Sequence, residues 1–268
     1  MLRDIFIQIF LILYNTPEPG PEPKVKNAHP ASNLERSNPS RSLRGLRLFD
    51  EELFGPIMHP HRHTYPGDMY LFFLRRLRRE FFDPACLILV SYPSSSRSAI
   101  TGVAVWEWRG ARAAALREQQ SVWGRLAGWV MKWWTRVESK LWKNRAADPS
   151  RVDILARAHP FIDHYWATEE RKDCFDLALC GVSTAAQGQG HGRELVRWGV
   201  EKAREEGVVA GLVAAKGKEG FYRKCGFGEP VGWASEGEEN PIKDVPGGAI
   251  MFTVLEMKER RLSEDFAA

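Results

Sequence analysis

The chain has 268 residues, enough for one domain of ordinary size plus appendages. Its 44% hydrophobic and 27% charged residues are those of a folded globular protein, and a formal charge of +4 suits anionic ligands without marking a nucleic-acid binder. The four cysteines, Cys86, Cys174, Cys180 and Cys225, contain no Cys-x-x-Cys pair and no zinc spacing. A reduced, cytoplasmic protein without a metal is the expectation.

In chain order, Ile5 to Tyr14 is an apolar run too short to span a bilayer as a helix. The Pro- and Glu-rich stretch from Asn15 to Pro23 does not suit a cleaved secretion signal. Residues 15–45 hold too few apolar side chains to offset the entropy of ordering, so 1–45 is read as a flexible segment and the folded domain as 46–258, with a tail at 259–268. His59, His61 and His63 alternate as ligands on a strand would, but Pro60, Pro66 and Gly67-Asp68 argue for a loop. From Met69 to Phe82, the residues Tyr70, Leu74, Leu77 and Phe81 fall on one helical face. Arg75, Arg76, Arg78 and Arg79 surround it and are expected to be a solvated basic face, with contact to an anionic ligand as the alternative. Asp83-Pro84 ends that helix, because the residue before proline leaves the α region.

Cys86–Tyr92 and Ile100–Trp108 read as a β-hairpin joined by a Ser-rich turn. Residues 111–168 read as a helical, Trp-rich insertion. Trp123, Leu126, Val130, Trp133 or Trp134, Val137 and Leu141 lie at helical spacing, with Lys132, Arg136, Lys140 and Lys143 between them. The apolar face is expected to pack onto the domain while the cations reach water; a helix lying on a membrane surface, or a lid over a site, are the alternatives. Phe175–Val182 then reads as a strand, Arg193–Glu206 as a helix, Val208–Ala215 and Ala249–Leu255 as further strands. A mixed α/β fold follows, with helices on both faces of a central sheet.

Between the first of those strands and its helix stands Gln187-Gly188-Gln189-Gly190-His191-Gly192. Glycines let backbone approach a phosphate closely, and the first free N–H groups of a helix point at it. A P-loop is excluded, since no Lys-Ser/Thr follows, and the dinucleotide fingerprint fits poorly. The pattern Q/R-x-x-G-x-G/A does fit, with Gln187, Gly190 and Gly192. Downstream, Gly220-Phe221-Tyr222-Arg223-Lys224-Cys225-Gly226-Phe227 supplies a second motif in the right order. The pair resembles the acetyl-CoA site of the GCN5-related N-acetyltransferase (GNAT) superfamily.

That resemblance implies a GNAT-like, mostly antiparallel sheet and transfer of the acetyl group of acetyl-CoA to a primary amine by direct attack in a ternary complex. It assigns the pyrophosphate to the backbone of Gln187, Gly188, Gln189, Gly190, His191, Gly192 and Arg193. The pantetheine arm falls to Cys180, Val182 and Ser183, and protonation of the leaving thiolate to Tyr222. Glu107, Asp176 and His164 are the candidates for a general base, none favoured over the others. Two departures from the family pattern stand out. The region before Leu46 does not read as a first strand, and Ala214-Ala215-Lys216 stands where many relatives carry a Ser or Asn that touches the cofactor. A degenerate fold that binds CoA without turnover, and a peripheral membrane protein, are the rival readings; no nucleic-acid partner is expected.

Overall fold

The structure is a computed structural model that describes residues 26–27, 51–93 and 100–254. The apolar run Ile5–Tyr14, most of the linker-like segment, the hairpin turn and the C-terminal tail lie outside the described residues. A seven-stranded sheet forms the centre: β1 (Lys26–Asn27), β2 (Cys86–Ser91), β3 (Gly102–Trp108), β4 (Cys174–Val182), β5 (Val209–Ala215), β6 (Gly232–Trp233) and β7 (Gly247–Phe252). Their order across the sheet is β1-β2-β3-β4-β5-β7-β6, and only β4 and β5 run parallel. The expected mixed, mostly antiparallel sheet is present. Within the segment read as linker, Lys26 and Asn27 lie beside Val90 and Leu89 of β2, so the outermost strand is two residues long.

Six helices complete the described part: α1 (Pro66–Phe81), α2 (Gly110–Gln119), α3 (Val122–Leu141), α4 (Ile154–Ile162), α5 (His191–Glu205) and α6 (Glu219–Arg223). Successive strand residues point to opposite faces, so each face carries its own core. Met69, Phe73 and Leu77 of α1 pack on Ile88, Val103, Val105 and Leu179. On the other face Leu195, Val196 and Val200 of α5 pack on Trp106, Phe175 and Leu177. Trp106 is fully buried and stacks on Phe175 at 4.9 Å between ring centres. Burying one such side chain contributes about 1.5–3 kcal/mol. Its indole needs the absence of a side chain at Gly199 of α5, where a Cβ would stand 2.0 Å from the ring.

Two expectations change here. The arginines of α1 are not a solvated face. Arg75 is buried and donates to the Glu138 carboxylate at 2.9 Å and to the carbonyls of Glu138 and Trp142, both at 3.1 Å. Arg76 pairs with Glu80 at 2.6 Å and reaches the carbonyl of Ala178, and Arg78 also reaches Glu138. Four cations one turn apart repel one another, so acceptors brought by other elements hold three of them. Nor does the expected apolar face of α3 pack wholly onto the domain: Trp123, Leu126 and Trp133 are 75%, 46% and 53% exposed, while Val130, Trp134 and Val137 are half-buried. The helix docks instead by its opposite side, where Gly128 meets Phe82 and Glu138 meets Arg75.

His59 is a structural pin between the turn Leu53–Ile57 and the insertion. It is buried, its Nδ1 lies 2.6 Å from the Phe54 carbonyl, and its Nε2 lies 3.0 Å from Asn144 Nδ2. Asn144 Oδ1 already accepts from the N–H groups of Ala146 and Ala147, so its amide nitrogen faces the ring and the ring must be neutral with its proton on Nδ1. Burial lowers the His59 pKa below its ordinary 6.5, the bond to Phe54 works against this, and the Arg62 charge adds to it. The unfolded chain then binds more protons just below that value. Stability from His59 is complete above the unfolded pKa and is lost as pH falls through the folded one. Melting temperature should drop between about pH 7 and about pH 5, with a shallower slope in His59→Gln. Equal slopes in thermal melts of the two proteins would remove His59 from that role.

Candidate functional site

The central feature is a parting of strands. β4 and β5 pair from Cys174–Val209 to Leu177–Leu212 and then separate. Beyond that point β5 follows β7 through Val213, Ala214 and Ala215, while β4 follows β3 from Leu179 to Val182. Among the described residues, one edge of β4 is left without a strand partner over its last residues. Unpaired backbone donors and acceptors there can accept an extended ligand as an added strand.

A β-bulge sits at the parting. Leu177 lies beside Trp106 and Leu179 beside Val105, so Ala178 has no partner on β3. The extra residue reverses the alternation of faces. Leu177 belongs to the α5 core and Leu179 to the α1 core, and Cys180 returns to the α5 side. The carbonyl of Ala178 is taken by Arg76 Nη2 at 3.1 Å. Neither the bulge nor the contact of this guanidinium is legible in the sequence, because register depends on the partner strand and not on the run of residues in β4.

The glycine-rich turn follows directly. A 3-10 turn, Thr184–Ala186, leads from Ser183 into it. Ser183 N–H bonds to the Thr101 carbonyl at 2.7 Å, closing the end of the sheet. Gln189 donates its amide to the Ala185 carbonyl at 3.1 Å, and Gln187 lies 3.5 Å from the Val182 carbonyl, so both glutamines brace the loop. Gly188 and Gly190 take φ of 78° and 93°, the left-handed region that side chains disfavour. Gly190 is the N-cap of α5, and the helix opens with His191, Gly192 and Arg193. Gly192 lies close to Val182 and Phe221, with a Cβ position 3.4 Å and 3.6 Å from them. The first N–H groups of α5 have no carbonyl within the helix, and the helix dipole adds partial positive charge. The loop is open to solvent: Gln187, Gly188, Gln189 and Gly190 are exposed.

Tyr222 stands on α6, held by its N–H to the Lys218 carbonyl, and its ring packs on Phe221 and Phe227. Cys180 and Cys225 are near enough to act electrostatically on its hydroxyl. Burial raises the phenol pKa strongly and pushes the Cys180 thiol up to about 12, with Cys225 adding to both. All three groups therefore hold their protons at neutral pH. The end of β4, the glycine turn and α6 thus come together around the parted strands.

The carboxylates lie elsewhere. Glu107 and Asp176 face each other in register on β3 and β4, at the end where β4 and β5 are still paired. Asp176 is four residues from Cys180, about 13 Å along a strand. Burial raises its pKa, countered by the Arg109 guanidinium at 3.2 Å and by the Trp166 indole N–H at 3.3 Å. Glu107 meets Arg117 at 3.4 Å. His164 lies on a turn at Asp163–Tyr165, its ring 4.0 Å from that of Tyr165.

Comparison with known proteins agrees with this geometry. Residues 156–229, which span β4, the glycine turn, α5, β5 and the Tyr222 motif, match the model of the acetyltransferase (GNAT) domain. Over that stretch the chain is similar to a GNAT acetyltransferase domain. Its fold is similar to that of the histone acetyltransferase HPA2 and related acetyltransferase from Corynebacterium glutamicum, at 16% identity and a TM-score of 0.52, covering 89% of this chain and 99% of that one. An arylalkylamine N-acetyltransferase 2 from Aedes aegypti matches at 12% identity and a TM-score of 0.48, covering 87% of this chain and 100% of that one. No curated protein matches the sequence. Between β3 and β4 stand α2, α3 and α4, and the matched stretch begins within α4.

Proposed function

We propose that the GNAT domain transfers the acetyl group of acetyl-CoA to a primary amine, by direct attack in a ternary complex. The observation that carries this reading is the parting of β4 from β5 beside the glycine-capped start of α5. The backbone of Gln187 to Arg193 would hold the pyrophosphate, with the helix dipole behind it. The free edge of β4 at Cys180 and Val182 would take the pantetheine arm, with an N–H there stabilising the developing oxyanion; the Ser183 N–H just beyond is given to Thr101 instead.

Tyr222 would give its proton to the departing CoA thiolate. The phenol holds its proton at neutral pH, the state from which an acid starts, although the burial that keeps it there also makes it a weaker donor. The state of Cys180 supports direct attack. A thiol titrating near 12 is a poor nucleophile at neutral pH, which disfavours an acyl-cysteine intermediate. Glu107 and Asp176 are engaged with arginines away from the parted strands, so a water chain is the favoured route for the amine proton.

The test is release of free CoA thiol from acetyl-CoA across a panel of small amines and peptide amines. Tyr222→Phe should lower kcat by about a hundredfold with KM for acetyl-CoA little changed. An unchanged kcat in the variant would remove Tyr222 from proton transfer. Tight acetyl-CoA binding with no turnover on any amine would leave a CoA-binding module.

A further inference from the structure

We propose that α3 is a membrane-surface helix that docks this protein on anionic phospholipid. The helix is amphipathic, with Val130, Met131, Trp134 and Val137 half-buried, but much of its apolar surface faces away from the domain. Val122, Trp123, Leu126, Trp129, Trp133 and Leu141 are all between 46% and 75% exposed. At 3.6 residues per turn Val122, Leu126, Trp129 and Trp133 fall within an arc of about 60°, and Trp123 and Leu141 lie together about 60° beyond its edge. A monomeric domain seldom leaves this much contiguous aromatic and aliphatic surface in water without a partner.

Charge identifies the partner. Arg125, Lys132, Arg136 and Lys140 are exposed along and beside the stripe. The single acid of the helix, Glu138, is turned to the opposite side and held by Arg75 and Arg78. The free surface of α3 is therefore apolar and cationic together. A second copy would set these cations against their own equivalents, which repel. The segment Ile5–Tyr14 is uncharged and offers them no acid. An anionic bilayer meets both requirements: the indoles enter the headgroup boundary and the cations meet lipid phosphates and carboxylates.

The helix is also anchored for such a role. Ser121 caps its start, accepting the Gly124 N–H at 3.1 Å, and the buried contacts of Arg75 hold its other half to α1. Among the described residues no helix is long and apolar enough to cross a membrane, so α3 would lie in the interface.

The test uses the full chain with vesicles of phosphatidylcholine alone and of phosphatidylcholine mixed with phosphatidylserine. The expected result is sedimentation with the mixed vesicles only, weakened by added salt, with a blue shift of tryptophan emission. Trp129→Glu combined with Trp133→Glu should lower that binding by at least roughly tenfold, with the melting temperature unchanged because both side chains are solvent-facing. Three results would overturn the proposal: no binding to mixed vesicles, undiminished binding by the double variant, or self-association that the double variant abolishes. The second would move the membrane contact to another segment, and the third would assign the face to a second copy of the chain.

Discussion

Gly190→Trp is expected to weaken acetyl-CoA binding by at least about a hundredfold, the largest effect on ligand binding that a single change at the glycine turn should produce. Gly190 holds φ of 93° at the start of α5, and the space where its Cβ would project is empty of protein atoms within 4 Å. A side chain there meets no core residue. It occupies the approach to the free N–H groups of His191, Gly192 and Arg193, where the pyrophosphate is placed. The cost to folding is confined to backbone strain, about 1–2 kcal/mol for a non-glycine residue in the left-handed region. Calorimetric titration separates the two effects when paired with a thermal melt. A folded variant that binds like wild type would place the phosphates elsewhere, and absence of binding by wild type would sink the acetyltransferase reading itself.

Glu138→Ala should be the most damaging change to stability outside the two sheet cores. The Arg75–Glu138 pair lies between α1 and α3, with side-chain exposures of 11% and 13%. Removing the carboxylate leaves a guanidinium in a nearly dry site. Such a loss costs about 3–5 kcal/mol, and the low end applies because Arg75 keeps the carbonyls of Glu138 and Trp142. For a chain of this size the melting temperature should fall by about 6–10 °C. Replacing both partners, Arg75→Met with Glu138→Leu, should recover part of the loss, because no charge is then buried alone. A Glu138→Ala protein that melts within about a degree of wild type would show that the pair contributes nothing net. The same variant should loosen α3, so vesicle binding by this protein reports on a second consequence of the latch.

Much of the site lies in a stretch whose signals are local. Glycines with positive φ, a helix with its apolar residues on one face and a following buried strand each leave a mark within a few residues. The helix expected at Arg193–Glu206 runs from His191 to Glu205, and the strand expected at Val208–Ala215 runs from Val209 to Ala215. The hairpin of β2 and β3 was equally readable from its two apolar runs. The short strand β6 was not, because two residues carry no period and exist as a strand only through pairing with Ala249 and Ile250. The fate of the α1 arginines was also hidden, since their partners lie up to 102 residues away in the chain.

The Trp-rich insertion marks the boundary of what periodicity can decide. The spacing of Trp123, Leu126 and Trp133 established an amphipathic helix, and that helix is present as α3. Which side faces the protein depends on what the neighbouring helix offers. Here α1 offers a buried arginine, so the side bearing Glu138 turned inward and Trp123, Trp129 and Trp133 turned outward. Likewise, the apolar run of β4 determined a strand and the glycines after it determined a turn that exposes backbone N–H groups. The bulge at Ala178, the parting of β4 from β5 and the meeting of Cys180 with Tyr222 were decided by tertiary structure alone, because register is a property of paired strands and no residue in one strand records where its neighbour stops.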